Sequence, residues 1–187
     1  MSFSRRRFIE TTAAASALLA TPAIGSLARS TAEIQSDDSS FHTFSGTFSD
    51  RAVKVLQLAN QERQRMNHWY IGTEHLLVAL FLESEATGAD WLADTGVSYE
   101  DVGCVTHFVV GNGDYDVSAG RPIRSDNLQA CLDDAVDLAC DGGHALVQPE
   151  HLMLAIVESF GTTANLLMQE MWIERGQMRQ VAMESLA

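Results

Sequence analysis

The clearest pattern along this chain is the return of apolar positions at intervals of three and four. Val53, Leu56, Ala59 and Arg63 fall on one helical stripe, and Leu128, Leu132, Ala135 and Ala139 fall on another. Leu76, Leu77, Leu80 and Phe81 form a third stripe, echoed by Leu152, Met153, Ile156 and Val157. β-Branched residues never gather into alternating runs, so the pattern favours helices over strands. The punctuation agrees. Ser49 and Ser125 are suited to cap the first helix of each group, and Gly142-Gly143 is a C-terminal stop. Thr73 is expected to cap a helix opening at Glu74, while Pro149 suits the first turn of its counterpart. A short helix is expected near residues 87–94, closed by Gly96, and a further one from Ser98 to about Phe108.

These segments repeat. Shifted by 76 residues, the sequence matches itself without a gap: Ser49-Asp50 meets Ser125-Asp126, Leu56 meets Leu132 and His68 meets His144. Glu74-His75-Leu76 meets Glu150-His151-Leu152, and Ala79, Thr87 and Val105 meet Ala155, Thr163 and Val181. The expected fold class is therefore all-α: two tandem four-helix repeats, eight short helices in a pseudo-twofold relation. Repeat 1 is placed at 48–110, a turn-rich joint at 111–122 and repeat 2 at 123–187. One substitution stands out. Trp172 replaces Gly96, so those two helix ends are expected to differ. Trp91 is assigned to the core.

Phe48-Ser-Asp-Arg-Ala, followed by His68-Trp-Tyr-Ile-Gly-Thr-Glu-His-Leu-Leu-Val-Ala-Leu, resembles the Clp N-terminal (Clp repeat) domain. Val147-Gln-Pro-Glu-His-Leu-Met-Leu-Ala-Ile is similar to its second half. The resemblance covers about 48–187. It implies a protein-binding module, of the kind that docks substrates and adaptors for Hsp100-type unfoldases. Some members recognise phosphoarginine, and similarity places that contact on Glu74 and Glu150, with Ser49 and Ser125 at the caps beside them. A glutamate can receive a guanidinium through two hydrogen bonds, and helix N-terminal amides can hold phosphate.

Residues 1–28 read as an address. Arg5-Arg6-Arg7 precedes a mildly apolar, Ala-rich run that ends Ser26-Leu27-Ala28, the layout of a secretory signal. Ser4-Arg5-Arg6-Arg7-Phe8-Ile9 resembles the twin-arginine export motif, which implies a periplasmic or extracellular destination. Pro22 and Gly25 interrupt the run, so no stable membrane span is expected once it is removed. Residues 29–47, rich in Ser, Thr and Asp, are expected to be a flexible linker.

Charge and chemistry narrow the function. With 12 basic against 25 acidic residues the net charge is −13, a surface that repels phosphate backbones, so nucleic acid is not an expected partner. The single lysine, Lys54, lies in Val-Lys-Val without a glycine-rich turn, so these residues hold no nucleotide-binding loop. Neighbouring residues on a helix point about 100° apart, so neither Glu-His pair makes an acid–base dyad. His68 and His144 read as loop-closing or core residues. No catalytic residue, cofactor or metal is expected. Burial is expected for Cys104, Cys131 and Cys140, with the last two on opposite faces of one helix. The expected function is a non-catalytic module for a protein or peptide partner. The alternative is an envelope scaffold without a client.

Overall fold

The computed structural model describes residues 46–88, 91–116 and 122–187. The expected signal and all but the last two residues of the expected linker lie outside the described residues. The α-helices are α1 (Asp50–Arg65), α2 (Thr73–Thr87), α3 (Tyr99–Val110), α4 (Asp126–Asp141), α5 (Pro149–Glu158), α6 (Thr163–Glu170) and α7 (Arg175–Leu186). Two residue pairs, β1 (Tyr70–Ile71) and β2 (Ile123–Arg124), form a short parallel ladder.

The fold is all-helical, as the apolar periodicity implies, but the described residues hold seven α-helices rather than eight. The helix expected near 87–94 is the correction. α2 runs through Thr87 and closes at Gly88, and only Ala93–Thr95 coil, as a 3₁₀ turn. The cause is a missing cap. In the second copy, Thr162 accepts from the Asn165 amide and starts α6. The first copy has Ala86 at the equivalent place, which has no hydroxyl to offer.

The serine caps stand where the sequence puts them. Ser49 Oγ accepts from the Ala52 amide and Ser125 Oγ from the Leu128 amide, each at 3.2 Å. The cap of α2 lies one residue earlier than expected, at Gly72, while Pro149 opens the first turn of α5 as expected, behind Gln148 at the cap. Neither side chain caps its helix. Instead the third residue of each helix reaches back: His75 Nδ1 accepts from the Gly72 amide at 3.0 Å, and His151 Nδ1 from the Gln148 amide at 2.9 Å.

The expected stripe on α2 is too narrow. Leu76, Leu77, Val78, Ala79, Leu80 and Phe81 are all buried, so this helix is enclosed on every side. Leu152 to Val157 are likewise buried on α5. These two helices are the centre of the fold. α1 and α3 pack on α2, α4 and α7 pack on α5, and α2 touches α5.

The short strands tie the copies together crosswise. Tyr70 pairs with Ile123 and Ile71 with Arg124, while Phe48 bridges Val147, also in parallel. The Ser125 amide donates to the Ile71 carbonyl and the Ser49 amide to the Val147 carbonyl, both at 2.9 Å. Add 76 to one partner and subtract it from the other, and the Ile71–Arg124 pairing maps onto Val147–Phe48, as the Ser125–Ile71 bond maps onto Ser49–Val147. The entry to α4 thus lies against the entry to α2, and the entry to α1 against the entry to α5.

Backbone exceptions repeat as well. Asn67 (φ 55°) matches Gly143 (φ 72°), and Trp172 (φ 56°) matches Gly96 (φ 68°). The expectation that residues 96 and 172 would end their helices differently is therefore corrected. Both adopt the left-handed conformation, and Trp172 does so despite its Cβ.

Candidate binding site

Two imidazole pairs stand just inside the entries to α2 and α5. In the first copy His75 Nδ1 accepts a hydrogen bond from the Gly72 amide, so the ring's own proton sits on Nε2. From there it donates to His68 Nδ1 at 2.9 Å, and His68 Nε2 donates to the Gly111 carbonyl at 3.1 Å. Every ring nitrogen is used, and both rings must be neutral, because a second proton on either would set N–H against N–H. Burial, with His68 and Arg63 next in order, pushes the His75 pKa down to about 3, and burial also lowers that of His68. Arg63, itself fully buried, donates to the His68 carbonyl at 2.8 Å and to Asn60 Oδ1 at 3.0 Å.

The second copy repeats this up to a point. His151 Nε2 donates to His144 Nδ1 at 2.8 Å, but His144 is only half-buried. Burial lowers the His151 pKa, with His144 adding to the effect. Hence the histidines close loops, as the sequence implies. They also relay hydrogen bonds, which pattern reading missed. The shared seven-residue spacing, His68 to His75 and His144 to His151, is the signal that points to it.

His68, Glu74 and His75 lie close enough together to share a cation. Both histidines have already committed both nitrogens, so an ion would have to break the relay. The close approach of Glu74 Oε1 to His75 Nδ1, 3.2 Å, is not an ion pair, since that nitrogen accepts from Gly72 and carries no proton.

The two carried-over glutamates diverge sharply. Glu74 is 1% exposed. Its carboxylate folds over Gly72, where a Cβ would lie 2.4 Å from either oxygen. Burial raises its pKa, opposed by hydrogen bonds from its own amide, Thr163 and Tyr70. Oε1 has no hydrogen-bond partner. Glu150 instead receives Arg51 Nη1 at 3.1 Å and the Ser185 hydroxyl at 3.3 Å. The same guanidinium grips Glu83 through Nε at 2.8 Å and Nη2 at 3.2 Å. Side chains of Glu83 and Glu150 are nearly enclosed, while that of Arg51 is 38% exposed. Asn127 replaces Arg51 in the second copy, so Glu74 faces no equivalent cation.

The four carried-over residues therefore fall into two crosswise pairs. Ser49 is set beside the Glu150 helix and Ser125 beside the Glu74 helix. Sequence reading missed Arg51 and Glu83. The clue lay in the loss of a charge between the two copies, Arg51 in the first against Asn127 in the second.

Among the aromatics, Trp91 is buried as expected, while Trp69 and Trp172 are exposed. Among the cysteines only Cys131 is buried, and burial pushes its thiol up to about 12. Cys104 and Cys140 are exposed, which corrects the expectation of burial for all three. Cys140 lies on the solvent face of α4, opposite the buried Cys131.

A model of the Clp repeat (R) N-terminal domain matches residues 13–98. The N-terminal domain of the Arabidopsis thaliana Clp-associated chaperone ClpD superposes with a TM-score of 0.63 at 14% identity, over 75% of this chain and 97% of that one. Both comparisons make this chain similar to Clp N-terminal domains, the first in sequence and the second in fold. The Hsp104 N-terminal domain from Candida albicans shares the fold too, with a TM-score of 0.61 at 16% identity, over 74% of this chain and 90% of that one. A probable ATP-dependent Clp protease ATP-binding subunit of Chlamydia pneumoniae is 27% identical over 139 residues, which is 74% of this chain. The rice chloroplastic chaperone ClpC2 is 29% identical over 121 residues, 64% of this chain. The chain spans only 16% and 13% of these two relatives. The chain therefore matches a small part of much larger proteins. Among the described residues, no helix is long and apolar enough to cross a membrane.

Proposed function

We propose that this chain is a non-catalytic docking module that receives a polypeptide client or adaptor outside the cytoplasm. The observation that carries the reading is the match, in sequence and in fold, to N-terminal domains of Clp proteins. Those relatives are chaperones and the ATP-binding subunits of a protease. Of the two carried-over pairs, Ser49 with Glu150 is the better contact. Arg51 over Glu150 is partly open to solvent, so an incoming guanidinium can compete with it, whereas Glu74 is closed off.

Titrating the full chain with a reduced, carboxymethylated unfolded protein tests docking. Saturable binding without added nucleotide is expected, and its absence would overturn the reading. Export rests on Arg5 and Arg6. Changing Arg5, Arg6 and Arg7 together to lysine is expected to strand the protein in the cytoplasm, and unchanged location would refute that part.

A further inference from the structure

Around the junction of α6 and α7, three side chains sit where local preferences argue against them. Trp172 holds a left-handed backbone conformation that its equivalent, Gly96, adopts without steric cost, and it leaves its indole 83% exposed. Glu170 ends α6, where the helix dipole disfavours a carboxylate and no basic residue in the last turn offsets it. Glu174 occupies the N-cap position of α7 but makes no capping bond. All three line one groove of about 890 Å³. Local rules broken together, with no compensating hydrogen bond or ion pair of these side chains among the described residues, mark a site shaped for something else.

The charges say for what. Arg175 is the only cation among the groove's lining residues, and it is already engaged: its Nε donates to the Val157 carbonyl at 2.9 Å, and its guanidinium lies 4.3 Å from the centre of the Phe160 ring. Glu170 and Glu174 are exposed and make no ion pair among the described residues. An exposed indole between two carboxylates attracts a cation through both its face and its neighbours.

We propose that this groove binds an arginine or lysine side chain of an extended polypeptide, with Trp172 as the platform and Glu170 and Glu174 as counter-charges. The inference rests on the docking reading and gives it a second contact, on the α6–α7 junction and apart from the Arg51–Glu150 cluster. Trp172→Gly makes a clean probe, because it restores the residue that the first copy uses in the same conformation. The variant is expected to melt no lower than the parent.

The test titrates a labelled Gly-Ser peptide bearing two arginines into the full chain, with a peptide bearing two glutamines as control. Affinity for the arginine peptide is expected to fall about tenfold in Trp172→Gly, and similarly in the double variant Glu170→Gln with Glu174→Gln. Removing the same charge from α4, by Asp133→Asn with Asp137→Asn, is expected to change it less than about twofold. Equal affinity for the two peptides, or full affinity in Trp172→Gly, overturns the proposal. If Trp172→Gly still binds the unfolded protein normally while the arginine peptide ignores the substitution, this site falls and the docking reading stands. If the parent binds no polypeptide at all, both fall.

Discussion

Apart from the helix that only the second copy forms, the two copies share a backbone frame and spend their polar side chains differently. Caps, left-handed residues, imidazole pairs and crossed strands recur at a fixed offset. The acidic groups do not follow. Glu74 is sealed beneath its neighbours, while Glu150 shares Arg51 with Glu83 near the surface. Backbone donors and acceptors must be matched in any copy that folds, because an orphaned buried group costs about 1–3 kcal/mol. Side chains outside that framework are free to diverge. Repetition thus locates the scaffold, and departures from repetition locate the chemistry.

Breaking the imidazole pairs should hit the first copy harder. His75→Ala strands the Gly72 amide and His68 Nδ1 in a buried setting, and it removes a ring that is itself fully enclosed. A loss of about 3–4 kcal/mol is expected in urea unfolding. His151→Ala should cost less, roughly 2 kcal/mol, because half-buried His144 can turn to water. Equal losses would show that the two relays are equivalent despite their unequal burial.

Acid sharpens the same contrast. The His75 pKa is about 3 in the fold against an ordinary 6.5. A histidine depressed in this way binds its proton more readily when unfolded, so its contribution is intact above pH 6.5 and is lost as pH falls towards about 3. His68 and His151 act in the same direction. The raised pKa of Glu74 works oppositely, favouring the fold at acid pH and losing that contribution as pH rises through its folded value. With three histidines against one carboxyl, stability should fall on acidification by on the order of a few kcal/mol. Urea midpoints across that range check this, and the slope should be shallower in His75→Ala. A flat profile would contradict the neutral relay.

Much of this scaffold was legible in the sequence. Caps at Ser49 and Ser125, the stop at Gly142 and the core helices follow from spacing alone. The crossed strands were not legible, since pairs of two residues carry no period. The lost helix before Gly96 depended on one absent hydroxyl at Ala86. Trp172 was read as a forced change of backbone, when the backbone in fact overrode the side chain. At the carried-over residues, motif matching found the two glutamates but could not place them. Burial of one and pairing of the other are set by contacts between α1, α2, α5 and α6.

The glutamates supply the next test. Glu150→Gln leaves Arg51 with Glu83 alone and weakens a charged hydrogen bond in a half-open site, so about 1 kcal/mol should be lost in thermal or urea unfolding. Glu74→Gln removes a buried, partly unsatisfied carboxyl, so stability at neutral pH should hold or rise slightly. A larger loss at Glu74 would mean that its charge, not its bulk, holds the entry to α2.

The smallest effect tests the framework itself. Asn67 and Gly143 occupy one left-handed position in the two copies, and the Asn67 side chain faces solvent. Asparagine tolerates that conformation better than most residues with a Cβ. Glycine adopts it freely but gives the unfolded chain more freedom. These two terms oppose each other, so Asn67→Gly and Gly143→Asn should each shift unfolding by no more than about 0.5 kcal/mol. Gly143→Val is the control: a β-branched residue has neither the local hydrogen bonding of asparagine nor the freedom of glycine, and about 1–2 kcal/mol should be lost. If asparagine at 143 proved as costly as valine, the two positions would share an angle but not an environment. The equivalence of the copies would then stop at the backbone.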